Sequence, residues 1–485
     1  MNALHISLII NYILCALAVI GMVFLEHKKP IRIFVWIFVL FIPYLGLLVY
    51  VLIGYGLGIK TKLLLKKRRL NNKKYNLYLA KQKDQLQYEQ SSNIIEHKFK
   101  DLIMMNLNNA NAMFTSDNNV EYFTDGLSML ENLKQDLLNA TKTINICFYI
   151  FAMDNIGKDI LNILIQKAKQ GVKVRLLYDS IGSLFTHKFH FKKLIKAGGL
   201  VNEFFPAFLG IKLFNLKANY RNHRKIVVID GKTAYTGGMN IRSDHMGLKT
   251  KISPWRDCHL KITGSAVYSL QNIFISDWRL SSKNPEPQNY FLNSDYFYDG
   301  NFTGTDSLQV VSSGPTGIDD ENIKESMIKM INNAKRDIYI QTPYFIPDEA
   351  FINAIKIALL CGVKVKIMVP KIPDKMFIYA ATTSFLKDVH NMGAEIYLFN
   401  GFLHTKAVCV DDEVATIGSC NIDIRSFKLN FEVNTMLYGK TQCENYVKIF
   451  NNDLSNSIKI NDDFIKLNFM QKIIILFSRM FSALF

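Results

Sequence analysis

The chain has 485 residues, 49% of them hydrophobic and 20% charged, which excludes global disorder and provides for more than one core. Lys and Arg number 58 against 41 Asp and Glu, a net charge of +17, so an anionic partner is expected, either nucleic acid or an acidic lipid surface. The seven cysteines are scattered without a C-x-x-C, which argues against a disulfide framework or zinc site and for a reducing, cytosol-facing catalytic region.

Two apolar runs open the chain. Residues 6–25 and 33–53 carry no charge over 20 and 21 positions, each long enough to cross roughly 30 Å of hydrocarbon. No basic residue precedes the first run and no small-residue cleavage site follows it, so a signal peptide fits poorly. A two-helix membrane hairpin over 1–59 is the reading, with Pro43 and Gly46 placed to kink its second helix and re-entry of that segment left open. Residues 60–83 then hold ten Lys or Arg and no acid, which predicts a cytoplasmic face in contact with anionic headgroups. The short connector with Lys28, Lys29 and Arg32 argues weakly against its export. The stretch 60–118 reads as a basic juxtamembrane linker region.

From about residue 119 the chain repeats itself. Ala140-x-x-x-Ile144-x-Ile146 runs into Phe148-Tyr149-Ile150-Phe151, and Ala334-x-x-x-Ile338-x-Ile340 runs into Pro343-Tyr344-Phe345-Ile346. Gly171-Val172-Lys173-Val174 has its counterpart in Gly362-Val363-Lys364-Val365. Amphipathic helices are predicted over 157–170 and 347–361, between apolar strands, which is α/β grammar written twice. The expected halves are 119–300 and 301–455, meeting at one active site, followed by an amphipathic C-terminal segment over 456–485.

Each half carries the same constellation. His223-x-Lys225-x4-Asp230 precedes Gly237-Gly238-Met239-Asn240, and His404-x-Lys406-x4-Asp411 precedes Gly418-Ser419-Cys420-Asn421. His and Asn are 17 positions apart in both copies. On a strand, positions i and i+2 share a face, so each His should project beside its Lys. An imidazole next to an ammonium suits a phosphate: one attacks or moves a proton while the other neutralises oxygen charge. The Asp, seven positions after the His, has opposite parity and points to a structural or supporting role. The Asn amide can donate to a phosphoryl oxygen, and the glycines permit close backbone approach.

These residues resemble the phospholipase D superfamily, marked by a paired H-K-D motif, and more narrowly its bacterial-type cardiolipin synthases. The narrower likeness lies in Tyr220-Arg-Asn-His-Arg-Lys225, Trp255-Arg-Asp257, Asp277-Trp278, Gln341-Thr-Pro-Tyr-Phe-Ile-Pro347, Gly418-Ser-Cys-Asn-Ile-Asp-Ile-Arg-Ser426 and the N-terminal apolar pair. Cys420 stands where a small residue such as Ala is usual. The resemblance implies an α/β fold of two pseudo-symmetric halves, each a mixed sheet flanked by helices. It implies catalytic sets His223, Lys225, Asp230 and His404, Lys406, Asp411, supported by Asn240, Asn421 and Ser419. Asp257, 34 positions after His223, and Glu432, 28 after His404, are expected to back the histidines. The implied reaction joins two phosphatidylglycerol molecules into cardiolipin and glycerol through a phosphohistidine on His223, with His404 as general acid and with neither metal nor cofactor. Phosphatidylglycerol and other anionic phospholipids are the expected partners at the cell membrane, with the catalytic region facing the cytoplasm and no nucleic acid bound. A hydrolase or transphosphatidylase on other phospholipids, and a membrane-tethered nuclease, share the same motifs, and oligomeric state stays open. The apolar stretch with Phe204, Phe205, Phe208, Leu209, Leu213, Phe214 and Leu216 is a candidate lipid-facing lip. Phe469, Ile473, Leu476, Phe477, Met480 and Leu484 predict an interfacial tail helix over 464–485.

Overall fold

The computed structural model describes residues 3–24, 36–50, 72–88, 93–206, 220–248, 253–282, 285–315 and 321–461. The candidate tail helix, most of the candidate lip and the 25–35 connector lie outside these residues.

The first repeat supplies β1 (Phe114–Phe123), β2 (Thr143–Phe148), β3 (Lys173–Asp179), β4 (Leu200–Phe204), β5 (Ile226–Ile229), β6 (Thr233–Gly237) and β7 (His259–Thr263). The second supplies β8 (Asp306–Ser313), β9 (Asp337–Gln341), β10 (Lys364–Pro370), β11 (Glu395–Phe399), β12 (Ala407–Val410), β13 (Val414–Gly418) and β14 (Asn430–Tyr438). All join one mixed sheet in the order β4-β3-β2-β5-β6-β7-β1-β8-β14-β13-β12-β9-β10-β11, with β15 (Ser457–Lys459) beside β11. The seam between the repeats is the antiparallel β1–β8 pair, registered Phe114 to Gln309 and Thr115 to Leu308. Outward from it both sides run alike. β2 is parallel to β3 and antiparallel to β5, as β9 is parallel to β10 and antiparallel to β12.

The crossover helices form where the apolar spacing predicts them. Asn155–Lys169 is capped by Asp154, whose side chain accepts from the Gly157 amide, and Glu349–Leu360 by Asp348, which accepts from the Phe351 amide. Each ends just before a glycine of positive φ, Gly171 at 90° and Gly362 at 83°, a conformation an L side chain resists. Ile160, Leu161 and Leu164 bury against β2 and β3, and Phe351, Ala354 and Ile355 against β9 and β10.

The described part of 60–118 is packed structure rather than a linker. Helices Lys73–Gln87, Ile94–Lys98 and Lys100–Asn109 sink Leu79, Leu86, Leu102, Ile103 and Leu107 into the core of the second repeat. Asn106, buried, bonds Gln309, Tyr438 and Ser326, which fixes this layer to β8 and β14. Apolar side chains on one face of basic helices are enough to turn a charged stretch into a structural layer.

At the N-terminus, helix Ala3–Phe24 contains a span of 20 residues, Ala3–Met22, with mean hydropathy 2.3 and little burial, long and apolar enough to cross a membrane. The second apolar run is interrupted in its described part. It is helical over 36–40, turns through 41–44, and resumes as Leu45–Val49. Tyr44 has φ 59° at the turn and donates its amide to Asn11, and a Cβ on Gly46 would meet the Val39 carbonyl at 1.9 Å. Pro43 and Gly46 therefore mark a tight reversal, sharper than the kink expected.

Candidate active site

Each H-x-K segment brings its histidine to one cavity of about 440 Å³, with the lysine buried beside it. His223 and His404 line it together with Asn240 and Asn421, one of each from either repeat. The residues themselves are not on the strands that the parity argument used. β5 begins at Ile226 and β12 at Ala407, directly after each Lys. In the preceding extended segment each Lys turns back, Lys225 donating to the His223 carbonyl at 2.6 Å and Lys406 to that of His404.

Each histidine is docked on the opposite repeat. Arg221–Asn222 pairs parallel with the start of β14, and the His223 amide donates to the Phe431 carbonyl at 2.9 Å. Phe402–Leu403 pairs parallel with Trp255–Arg256, and the His404 amide donates to the Arg256 carbonyl at 2.6 Å. One step further along each docking strand stands a fully buried carboxylate. Glu432 lies 3.0 Å from His223 Nδ1, and Asp257 lies 2.7 Å from His404 Nδ1. This exchanges the assignment expected from sequence distance, in which Asp257 served His223 and Glu432 served His404. With Nδ1 so held, Nε2 is the ring nitrogen left for chemistry in the cavity.

The carboxylates are themselves positioned. Glu432 accepts from Ser419 Oγ at 2.5 Å and Asn430 Nδ2 at 3.1 Å. Asp257 accepts from the Cys258 amide at 2.8 Å, and a Cβ at Gly238 would fall 2.0 Å from its Oδ1. The close approach that Gly238 permits is thus that of the Asp257 carboxylate. Arg224 ties Asp277, the Glu432 carbonyl and the Ser313 carbonyl together, and Arg256 joins Asp453 to the Asp257 carbonyl.

Asp230 and Asp411, expected in the catalytic sets, lie away from the cavity. Asp230 accepts from the backbone amides of Thr141, Lys142 and Thr143, at the start of β2. Asp411 does the same for Lys335, Arg336 and Asp337 at the start of β9. Both have positive φ, 52° and 55°, in the turns that close β5 and β12. Their carboxylates bond backbone amides at the strand starts, and neither lines the cavity.

Burial governs the electrostatics. It brings Lys225 down to about 7 and Lys406 down to about 8, with the neighbouring ammonium contributing for Lys225. Burial also lowers both imidazoles. For His404 the charges of Lys406 and Lys225 push further, to well below the ordinary value. For His223 the Glu432 carboxylate works against the shift. Arg221 and Arg224, which flank His223 in the sequence, are matched by Asp179 and Asp277.

Sequence reasoning missed several lining residues. Tyr149 stands edge-on to His223 with centroids 4.8 Å apart, and Tyr344 lines the opposite wall. Each follows the repeated strand, three positions after Ile146 and four after Ile340. His245 and Trp255 pack on His404 at 5.1 and 5.2 Å, and neither has a repeat counterpart to announce it. His245, Asp257 and His404 offer donor atoms within 4.8 Å of one another, the spacing of a metal site. The Lys406 and Lys225 ammonium groups acting on these residues oppose a cation there. Phe204 and Phe205, from the candidate lip, are core residues packed on Phe431.

The family description "cardiolipin synthase, PLD-like domain" matches residues 133–278 and 327–454, the two segments that build this cavity. The chain belongs to that family. It is 42% identical over 465 residues to the major cardiolipin synthase of Bacillus subtilis (strain 168), covering 95% of this chain and 94% of that protein. The cardiolipin synthase of Oceanobacillus iheyensis is 41% identical over 456 residues, covering 93% of each. Among solved structures, phosphatidylserine synthase of Haemophilus influenzae Rd KW20 superposes with TM-score 0.59 at 18% identity, covering 80% of this chain and 97% of that one, a likeness of fold. Against this family background the crossed His–carboxylate pairs are the feature that makes one site of two repeats.

Proposed function

We propose that the chain is a membrane-bound cardiolipin synthase that transfers a phosphatidyl group between two phosphatidylglycerol molecules, releasing glycerol. The observation that carries this reading is a single cavity lined by both motif histidines, each braced by a buried carboxylate of the opposite repeat. His223 Nε2 attacks the phosphorus of the first lipid and the bond from phosphorus to the glycerol headgroup oxygen breaks. The His404 imidazolium gives its proton to that oxygen. The hydroxyl of the second phosphatidylglycerol then returns a proton to His404 while its oxygen attacks phosphorus, and His223 is released. Lys225, Lys406 and the Asn240 and Asn421 amides supply donors for the phosphoryl oxygens.

His223 is assigned the attack because Glu432 offsets part of its burial, which leaves it the more basic and more nucleophilic ring. Burial and the two lysines disfavour the charged form of His404, and the diester's negative charge, by balancing the lysines, favours its proton. The two matched halves of the sheet are read as a pseudo-twofold duplication. The apolar N-terminal helix, with the reversal after it, is read as the membrane anchor of a cytoplasm-facing enzyme.

The test is the purified full chain with phosphatidylglycerol vesicles and mass analysis of the lipids. Cardiolipin with equimolar glycerol is expected. Phosphatidic acid in its place identifies a hydrolase and overturns the synthase reading.

A further inference from the structure

Two segments flank the cavity from corresponding places in the two repeats, a loop after β3 and, after β10, a loop that runs into the first turn of helix Met376–Asn391. Ile181 and Gly182 of the first, and Asp374, Lys375, Phe377 and Ile378 of the second, line its wall. Beyond the wall both segments turn large apolar side chains outward, the first from 185–189 and the second from the start of its helix. Phe185 is 86% exposed, Phe189 58% and Met376 74%. The first loop is anchored at its base, where Ser183 Oγ bonds the Tyr149 carbonyl and the Phe151 amide, and Thr186 Oγ1 bonds the Phe151 carbonyl. Its exposed aromatics are therefore held in place beside the cavity.

Charge accompanies them. Residues 180–200 contain Lys188, Lys192, Lys193 and Lys196 and no acid, and all four lysines are exposed. Among the described residues none of the four is paired with a carboxylate. Lys371 and Lys375 add positive charge on the second loop against one acid, Asp374. Exposed rings set among lysines form the composition that enters the headgroup region of an anionic leaflet: the rings bury in the acyl boundary and the ammoniums meet phosphates.

We propose that these two segments are a bilayer-docking rim, which seats the cavity mouth on an anionic leaflet by inserting Phe185, Phe189 and Met376. The inference rests on the cavity being a phospholipid site. It adds how a lipid held in a bilayer reaches histidines that are themselves nine-tenths buried.

The test uses the full chain in phosphatidylglycerol-containing nanodiscs. Phe185→Trp and Met376→Trp are each compared with the parent chain, using lipids brominated near the top of the acyl chain. Quenching of the added emission is expected, and this arm needs no catalysis, so it stands even if the proposed reaction fails. A second arm combines Phe185→Ser with Phe189→Ser, and separately Lys188→Gln, Lys192→Gln and Lys193→Gln. Turnover of bilayer phosphatidylglycerol should fall by roughly tenfold or more, with the lysine variant's defect reproduced in the parent by high salt. Turnover of short-chain phosphatidylglycerol dispersed as monomers should be unchanged. Absence of quenching, or equal loss on bilayer and dispersed substrate, would overturn the docking rim.

Discussion

The Asp257 carboxylate of the first repeat lies 2.7 Å from Nδ1 of His404 in the second, and Glu432 of the second lies 3.0 Å from Nδ1 of His223 in the first. Each repeat thus provides an imidazole and the carboxylate for the other repeat's imidazole. Backbone pairing enforces the exchange, because each histidine segment adds in parallel to the strand that carries its partner's carboxylate.

Asp257→Asn retains the shape but cannot stabilise the His404 imidazolium. We expect kcat to fall by about 10²–10⁴ with folding intact. A donor whose leaving group needs no proton should recover most of the first step in this variant, whereas Glu432→Gln should remain slow with that donor. Equal recovery in both would break the assignment of carboxylates to distinct roles. Burst amplitude with the activated donor is the measurement.

Gly238→Ala tests the space that Asp257 occupies. A methyl group 2.0 Å from Oδ1 must displace the carboxylate or the backbone, so activity should drop about as far as in Asp257→Asn. The corresponding position in the other repeat is Ser419, whose hydroxyl bonds Glu432. Ser419→Ala removes the hydroxyl that donates to Glu432 and accepts from the Val433 amide, and leaves the carboxylate its His223 and Asn430 partners. A loss of about tenfold or less is expected, read as kcat with the lipid donor.

Asp230→Ala and Asp411→Ala separate scaffold from chemistry. Each carboxylate serves three backbone amides at a strand start, and losing it should destabilise the protein by roughly 2–3 kcal/mol. At low temperature kcat should stay near that of the parent. Denaturation midpoints beside initial rates decide the matter, and a collapse in kcat without loss of stability would return these residues to the catalytic set.

The buried lysines give opposite pH trends for stability and binding. Burial brings Lys225 and Lys406 down to about 7 and about 8 in the fold, against 10.5 ordinarily. Above those values the unfolded chain holds protons that the folded chain has shed, so the folded state binds fewer protons. Stability of the free enzyme should therefore rise with pH from about 7 toward 10.5 through these two groups. Capture of an anionic diester needs the ammonium forms, so kcat/KM should fall over the alkaline side of the same window. Lys225→Met and Lys406→Met should flatten both curves.

Much of the site was legible because it is written twice. A lone His-x-Lys means little, but two copies with His-to-Asn spacings of 17 residues mark a shared phosphate site. What could not be read was which carboxylate meets which histidine. Sequence distance joins Asp257 to His223, while strand addition between repeats, invisible in either repeat alone, joins it to His404. The layer from Lys73 to Asn109 was obscured for another reason: its lysines dominate the composition, while Leu79, Leu86, Leu102 and Leu107 determine its packing. The glycine at 238 was flagged for close approach, but the approaching atom belongs to Asp257.

The assignment of attack to His223 is open to a trapping experiment. Burial and the charges of Lys406 and Lys225 lower His404 well below the ordinary imidazole range, while His223 has Glu432 to offset its burial. A donor with an activated leaving group removes the need for a general acid in the first step. His404→Ala should then accumulate a covalent phosphatidyl-enzyme, detected as a mass adduct that survives alkali and is lost in acid. Turnover should stall there, because nothing deprotonates the incoming hydroxyl. His223→Ala should accumulate no adduct with the same donor. Because His223 and His404 are both buried and both braced by a carboxylate, loss of one ring leaves the other docked on its own strand, and the comparison reports chemistry and not a collapsed site. An adduct only in His223→Ala would reverse the two roles, and an adduct in neither would remove the covalent step from the reaction.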